Sequence, residues 1–478
     1  MSFSKDFLWG FSTSAYQIEG AATQDGRAPS IWDTFCDIPG KIIDDSSGAV
    51  ACDSYNRWEE DIALLKSLGA KAYRFSVSWS RVIPLGGRND PINQRGLDFY
   101  VRFVDALLDA GITPFITLFH WDLPQALETR YGGLRNRHEF PRDFEHYART
   151  IFAALHKCKH WNTFNELWAS AAMGYGAGRM APGRTSDRTQ AAEGDSAREP
   201  WQVGHNLLVA HGLAVRAYRR SADGDGEIGI ALNGDFAYPW DAEDAADVEA
   251  ATRHMEFVIS WFADPIYFGE YPASMRAQLG ERLPQFTEEE RELVLGSSDF
   301  YSMNHYTSVY VRHKPASPPP PDDDFLGHVD VTFRNKVGDV IGPETEIASM
   351  RPHPRGFRDL LVWVSKRYGW PNIYVTENGT SIKGESLLEG AAALDDVFRV
   401  EYLDGYVRAM ADAVREDGVN VRGYMAWSLL DNFEWTQGYQ TRFGVTFVDF
   451  KNGLKRFPKR SAASLKPLFE SLTKSHGA

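Results

Sequence analysis

The chain has 478 residues, 43% of them hydrophobic and 13% aromatic, enough to bury a large core. A net charge of −14 lacks the basic footprint that nucleic acid or an anionic membrane surface demands of a main partner. Three cysteines without a CxxC spacing make no disulfide framework, so Cys36, Cys52 and Cys158 read as free thiols of a reducing compartment, with a Cys36–Cys52 pair as the alternative.

The N-terminus, MSFSKDFLWGFSTSAYQ, has no basic segment followed by a long apolar stretch. No later run approaches 18 uninterrupted apolar residues. The expectation is a soluble, cytoplasmic protein. FLWGFSTSAYQIEG (7–20) reads as a first strand. NRWEEDIALLKSLG (56–69) has helical apolar spacing at Trp58, Ile62, Leu65 and Leu68, stops on Gly69, and feeds the strand AYRFSVSW (72–79). Helix 96–111, closed by Gly111, feeds ITPFITLFH (112–120), and helix 143–157 feeds WNTFNE (161–166). Helix 201–220 precedes EIGIALN (227–233), and a helix around 254–267 precedes DFYSMNHYTSVYV (299–311). Helix 356–369 leads into NIYVTENG (372–379), and helix 397–416 into GYMAWSLLDNFEW (423–435).

Strands alternating with helices imply parallel βαβ units. Eight of them match a closed (β/α)8 TIM barrel, and the length fits one catalytic domain over 1–478 with long inserted βα loops. A doubly wound open sheet is the alternative architecture. Two segments read as surface loops, the Gly/Pro/Arg-rich stretch 179–200 and KPASPPPPDDD at 314–324.

In such a barrel, chemistry sits at the C-terminal ends of the strands. The expected exits carry Gln17 and Glu19; Arg74 and Trp79; His120 and Trp121; Asn165 and Glu166; Asn233 and Asp235; Asn304 and Tyr306; Glu377 and Asn378; then Trp427, with Glu434 and Trp435 just beyond. Glu166 and Glu377 both follow apolar runs and, though remote in the chain, would converge over one mouth. A strand-ending glutamate is often merely solvated, so the pair rather than either residue carries the reading. Two opposed carboxyl groups, one protonated and one ionised, are what glycosidic bond cleavage requires. The surrounding amides and imidazole suit sugar hydroxyls, and the tryptophans suit a pyranose face.

FLWGFSTSAYQIEG, YRFSVSWSR, FHWDLP, TFNE, MNHYT, YVTENG and WSLLDNFEW followed by GYQTRFGVTFVDF resemble glycoside hydrolase family 1, the β-glucosidase family. The likeness runs from about Phe7 to Phe457 and is greatest to intracellular β-glucosidases of filamentous fungi. It implies a retaining hydrolase of small β-glucosides such as cellobiose, with Glu166 as acid/base and Glu377 as nucleophile. Arg74 and Tyr306 would orient the nucleophile, Asn304 would support them, and Asn165 would bond the sugar 2-hydroxyl. Gln17, His120, Trp121, Trp427, Glu434 and Trp435 resemble the glycone subsite, with Phe443 closing its wall. Trp168, Met173, Asn233 and Asp235 would line the aglycone entrance, where Trp168 is expected to weaken inhibition by product glucose. The resemblance implies neither cofactor nor metal.

In one place the chain departs from the family. Leu167 follows the acid/base glutamate where the family usually has Pro, and Leu lacks the extended-backbone bias that Pro imposes on its predecessor. Three other readings differ at named residues. A 6-phospho-β-glycosidase would replace Glu434–Trp435 with phosphate-binding groups, a thioglucosidase would lack the Glu166 carboxylate, and a non-catalytic sugar-binding barrel would not need both glutamates. GDGEIG (224–229) precedes its strand instead of joining strand to helix, so it reads as a turn and not a dinucleotide loop. HKCKH (156–160) resembles a metal patch, but His160 begins the strand that Glu166 ends, roughly 20 Å away at the other rim. GxSxG is absent.

Overall fold

The computed structural model describes residues 3–315 and 324–473. Eight parallel strands close a barrel: β1 (Leu8–Ser12), β2 (Ala72–Ser76), β3 (Thr113–Phe119), β4 (His160–Asn165), β5 (Glu227–Asn233), β6 (Tyr301–Asn304), β7 (Ile373–Asn378) and β8 (Val421–Trp427). Each neighbours the next in sequence and β8 pairs with β1. The barrel replaces the open sheet held as the alternative. Helices Ser54–Leu68, Gln94–Asp109, Phe140–Ala154, Glu199–Arg219, Trp261–Phe268, Pro354–Arg367, Val397–Glu416 and Arg460–Thr473 lie between or after the strands. Gly69 closes the first of them with φ 75°, the left-handed geometry that favours glycine. No helix among the described residues is long and apolar enough to cross a membrane.

Period-two alternation fills the barrel in layers. The lower layer is apolar: Ala72, Phe115, Phe300, Tyr374 and Met425 form their own buried cluster. Two residues further along β2, β3 and β6 stand Arg74, Thr117 and Ser302, all fully buried. The interior thus turns from hydrocarbon to hydrogen-bonding groups as it approaches the mouth. Gly10 is required where β1 meets β2, because a Cβ there would lie 1.7 Å from the Ala72 carbonyl oxygen.

Three expectations are corrected. The first strand stops at Ser12, and Ala15–Ile18 turn into a short helix, so Gln17 reaches the mouth from a helical turn. The run 299–311 divides: only Tyr301–Asn304 joins the barrel, while Ser308–His313 pairs with Phe236–Pro239 and Val329–Thr332 in a separate sheet. The 179–200 stretch is a loop only as far as 198, where the helix Glu199–Arg219 begins, and it is tied down. Thr185 and Ser196 are buried, and Arg184 pairs with Glu199 at 2.8 Å. The four consecutive prolines of the 314–324 segment, 318–321, lie outside the described residues.

A buried ion cluster locks the last loops together. Lys459 contacts Glu385 at 2.6 Å and Asp431 at 2.7 Å, Arg399 contacts Glu385 and Asp396, and Arg442 contacts Asp431 at 2.8 Å. Burial pushes the Glu385 carboxyl upward, but Arg399 and Lys459 outweigh it and bring the value down to about 2. With its folded value below its unfolded one, Glu385 adds stability above pH ~4.5 that is lost as pH falls towards 2. Lys459→Met takes one of two cations from each of the buried carboxylates Glu385 and Asp431 and is expected to cost about 3 kcal/mol, read as a lower denaturation midpoint. An unchanged midpoint would show that the cluster contributes nothing net.

Candidate active site

Glu377 sits at the end of β7, 3% exposed. Its Oε1 accepts from Arg74 Nη1 at 2.5 Å and its Oε2 from the Tyr306 hydroxyl at 2.6 Å. With donors on both oxygens, the group is held as a carboxylate in one orientation. Arg74 is itself fixed on every side. Its Nε donates to Thr117 Oγ1, Nη1 also to Ser12 Oγ, and Nη2 to Asn165 Oδ1 at 2.6 Å.

Glu166 is half-buried one residue past β4. Its Oε1 accepts from Asn304 Nδ2 at 2.8 Å. The same Asn304 amide donates to Asn165 Oδ1 (2.9 Å), and its own Oδ1 accepts from Thr376 Oγ1. Asn165, Asn304 and Arg74 therefore bridge the two glutamates through direct hydrogen bonds. Burial first, and the neighbouring Glu377 charge second, push the Glu166 carboxyl up to about 8. One carboxyl is braced as an anion and the other is kept protonated at neutral pH, the division of labour that acid-assisted displacement at an acetal carbon requires.

The backbone makes this possible at two places. Against β5 the β4 register shifts between Asn162 and Asn165, and against β6 the β7 register shifts between Val375 and Glu377. Each irregularity re-aims a side chain just before the strand ends. Glu166 has φ 45° and its N–H donates to the Ala231 carbonyl. Leu167 is 1% exposed and sits at the start of the following helical turn. The aim of Glu166 is thus set by its own left-handed backbone, the β5 contact and Asn304, without the usual proline.

Across the mouth lies a polar and aromatic wall. Gln17 receives the Ser14 hydroxyl and donates to Asn432 Oδ1, the Phe433 carbonyl and Glu434 Oε2. Burial, then Glu377 and Glu166, push Glu434 up to about 8. His120 Nε2 accepts from Asn165 Nδ2 at 3.1 Å, which places the ring proton on Nδ1. Burial and the Arg74 charge hold this imidazole well below its usual value, hence neutral. Trp121 donates its indole N–H to the Asn165 carbonyl and packs 4.7 Å from Trp435. Trp427 stacks 6.0 Å from His120, and Phe443 meets Tyr306 edge-on at 5.9 Å.

The four outer residues are more loosely gathered. Asn233 ends β5 beside Asn304, and Asp235 lies close enough to raise Glu166, its own carboxyl pushed by burial to about 7. Trp168 is half-buried and donates its indole N–H to the Phe325 carbonyl. Met173 is half-buried on the π-helical stretch Ala169–Gly174. Two expected exit residues turn away from the mouth. Glu19 pairs with Arg81 and Tyr100, and Trp79 stacks on Tyr147 in the helix layer. His160 lies at the other end of β4, against Phe115 and Tyr374. Thr117, Thr376 and Asn432 are supports that the sequence reading passed over; Thr376 stands in YVTENG directly before Glu377.

A closed barrel whose mouth joins two unlike carboxyl groups to a hydroxyl-binding wall defines a glycoside hydrolase. The family model for glycosyl hydrolase family 1 matches residues 1–476, and the chain belongs to that family. It is similar to a GH1 beta-glucosidase from the fungus Humicola insolens solved with glucose, with 67% identity, TM-score 0.98 and 99% of both chains covered. Beta-glucosidase 2 from Trichoderma reesei, solved with Tris, shares 66% identity at TM-score 0.95 over 99% of this chain and 100% of its own. Beta-glucosidase 1B of Phanerodontia chrysosporium is 51% identical over 467 residues, 97% of this chain and 85% of the relative.

Holding Glu166 protonated has a stability consequence. As pH rises from about 4.5 to about 8, the unfolded chain releases this proton first and the folded state is progressively disfavoured. Glu166→Gln removes that loss while removing the acid. The melting temperature of the variant relative to the parent is expected to increase steadily between pH 5 and pH 8. A constant difference would mean that the carboxyl titrates normally.

Proposed function

We propose that the protein is a retaining exo-β-glucosidase that removes the terminal non-reducing glucosyl unit of cellobiose and other small β-glucosides. The observation that carries this reading is the pairing of a braced carboxylate, Glu377, with a protonated carboxyl, Glu166, linked through Asn304, Asn165 and Arg74. Its similarity to beta-glucosidases supports it.

In the first step a Glu377 oxygen bonds to the anomeric carbon as the bond to the aglycone oxygen breaks, and Glu166 transfers its proton to that oxygen. Esterification removes the Glu377 charge, the second-largest cause of the raised Glu166 value. The burial part diminishes as the aglycone leaves and water enters. Glu166 then accepts a proton from that water as its oxygen attacks the anomeric carbon, and the ester bond breaks to restore Glu377. Asn165 lies beside both glutamates and suits the 2-hydroxyl, where a hydrogen bond strengthens in the transition state. Neutral His120, Gln17 and Glu434 suit the remaining glycone hydroxyls, and Trp427 suits the sugar face.

A 6-phosphorylated glucoside is disfavoured by the same wall. Burial first, and then the nearby Glu377 and Glu166, already make Glu434 resist ionising, and a phosphate there would bring a further anion into the same buried wall.

Turnover of p-nitrophenyl β-glucoside well above that of its 6-phosphate, with β-glucose as the first product seen by NMR, is the expected outcome. Glu377→Gly is expected to be inactive and to regain turnover with azide, yielding α-glucosyl azide. First-formed α-glucose from the parent enzyme would overturn the retaining mechanism, and an inactive parent would favour a sugar-binding barrel. Trp168, held by the Phe325 carbonyl, narrows the aglycone side in this reading. Trp168→Ala is expected to lower the inhibition constant for glucose, and an unchanged constant rejects that role.

A further inference from the structure

A second cavity opens on the same face of the barrel, between loops that leave β1, β7 and β8. Its volume is about 860 Å³, within the range of small-ligand sites. An antiparallel hairpin, Thr446–Asp449 against Lys455–Pro458, supplies one wall. On it Phe447 and Phe457 stand opposite each other, ring centroids 6.4 Å apart. Phe450 and Tyr439, 4.5 Å apart, extend the aromatic surface. Phe457 is 41% exposed and Leu387, which also lines the cavity, 84%, an apolar surface whose exposure to water is unfavourable.

Charged groups of both signs line the rim: Lys451 pairs with Glu389 at 3.5 Å, and its N–H donates to Asp449. Asp44 accepts from Ser46 and from the Tyr439 N–H. Arg442 is held by Asp431 and lies 4.7 Å over the Phe447 ring. Among the described residues, the side-chain amides of Gln440 and Asn452 have no hydrogen-bond partner in the protein. Aromatic faces beside unengaged amides complement a pyranose, which offers a flat C–H face and a rim of hydroxyls. The charged rim groups pair with each other, so a ligand of one strong charge would have to break such a pair to bind. The catalytic glutamates do not line this cavity, so it is distinct from the catalytic mouth. It shares one segment with it: Tyr439, Gln440 and Arg442 lie between Glu434 and Phe443.

We propose that this cavity is a second, non-catalytic carbohydrate site that takes a neutral glucosyl unit or short β-glucoside. The choice of sugar rests on the glucosidase reading, and the experiment separates the two. The full-length enzyme is first treated with 2,4-dinitrophenyl 2-deoxy-2-fluoro-β-glucoside, and a mass gain of one fluoroglucosyl unit reports a blocked Glu377. Absence of that adduct counts against the retaining glucosidase and leaves the cavity to be titrated on the untreated protein. Cellobiose is then titrated by saturation-transfer difference NMR. Binding is expected to persist in the blocked enzyme and to weaken roughly tenfold in Phe450→Ala. The surface double variant Gln440→Ala, Asn452→Ala is expected to weaken binding without disturbing the aromatic surface. No transfer to the blocked enzyme, or equal affinity in both variants and the parent, overturns the proposal. So does a dimer detected by light scattering that Phe450→Ala dissociates, because a second copy of the chain would then be the occupant.

Discussion

The Arg74–Glu377 ion pair is the constraint around which the mouth of the barrel is organised. Both side chains are almost inaccessible to water, and burying two charges is tolerable only when geometry and further hydrogen bonds compensate for lost hydration. That condition explains the surroundings. Thr117, Ser12 and Asn165 take the remaining guanidinium protons, and Tyr306 takes the second carboxylate oxygen. These groups come from β1, β2, β3, β4 and β7 and from just beyond β6, so satisfying one ion pair fixes most of the barrel relative to its centre. A chain that misplaced one strand would leave a buried charge exposed to hydrocarbon.

The same pair makes Glu166 different from Glu377. Glu166 shares the neighbourhood but has no cation of its own; Asn304 gives it one amide hydrogen bond. Burial then dominates and the proton stays. Two chemically identical side chains acquire opposite roles from the placement of one guanidinium. The arrangement is held by unfavourable backbone. Glu166 (φ 45°), Trp121 (φ 73°) and Trp435 (φ 52°) all occupy the left-handed region, which costs a residue with a side chain of order 1–3 kcal/mol. Three such residues around one pocket indicate that the fold elsewhere is stable enough to impose them.

How much of this was legible follows from which rule each residue obeys. Helix and strand alternation, the glycine stop at Gly69, the barrel and the glutamates at strand exits all follow from local periodicity, and they stand. Positions governed by breaks in periodicity were less accessible. Strict alternation from the start of β4 and β7 would not turn both Asn165 and Glu377 inward; the register shifts do so, and nothing in WNTFNE or IYVTEN marks them. The first strand was read too long because Thr13, Ser14 and Ala15 are compatible with either extended or turning backbone. Glu19 and Trp79 looked like site residues because distance from a strand end was taken for exposure at the mouth. Both belong to buried contacts behind it. Thr376 and Thr117 were passed over because a threonine's role as a support depends on which carbonyl or guanidinium it meets, and that is a long-range fact.

The loop after β8 shows why chemistry and recognition can be separated in this fold. Bond cleavage depends on groups inside the barrel, braced by strand registers that tolerate little change. In the proposed reading glycone recognition falls to Glu434, Trp435 and Phe443, which lie in the loop after β8. That loop is rigid because its base is tied down. Asp431 accepts from Arg442, Lys459 and the Gly444 N–H, and Ser428 exchanges backbone hydrogen bonds with Phe443 and Val445. The wall across the mouth therefore inherits its position from an ion cluster beneath it rather than from the two glutamates. Substitutions on the loop's outer side can alter what binds there while leaving the two glutamates aimed as they are.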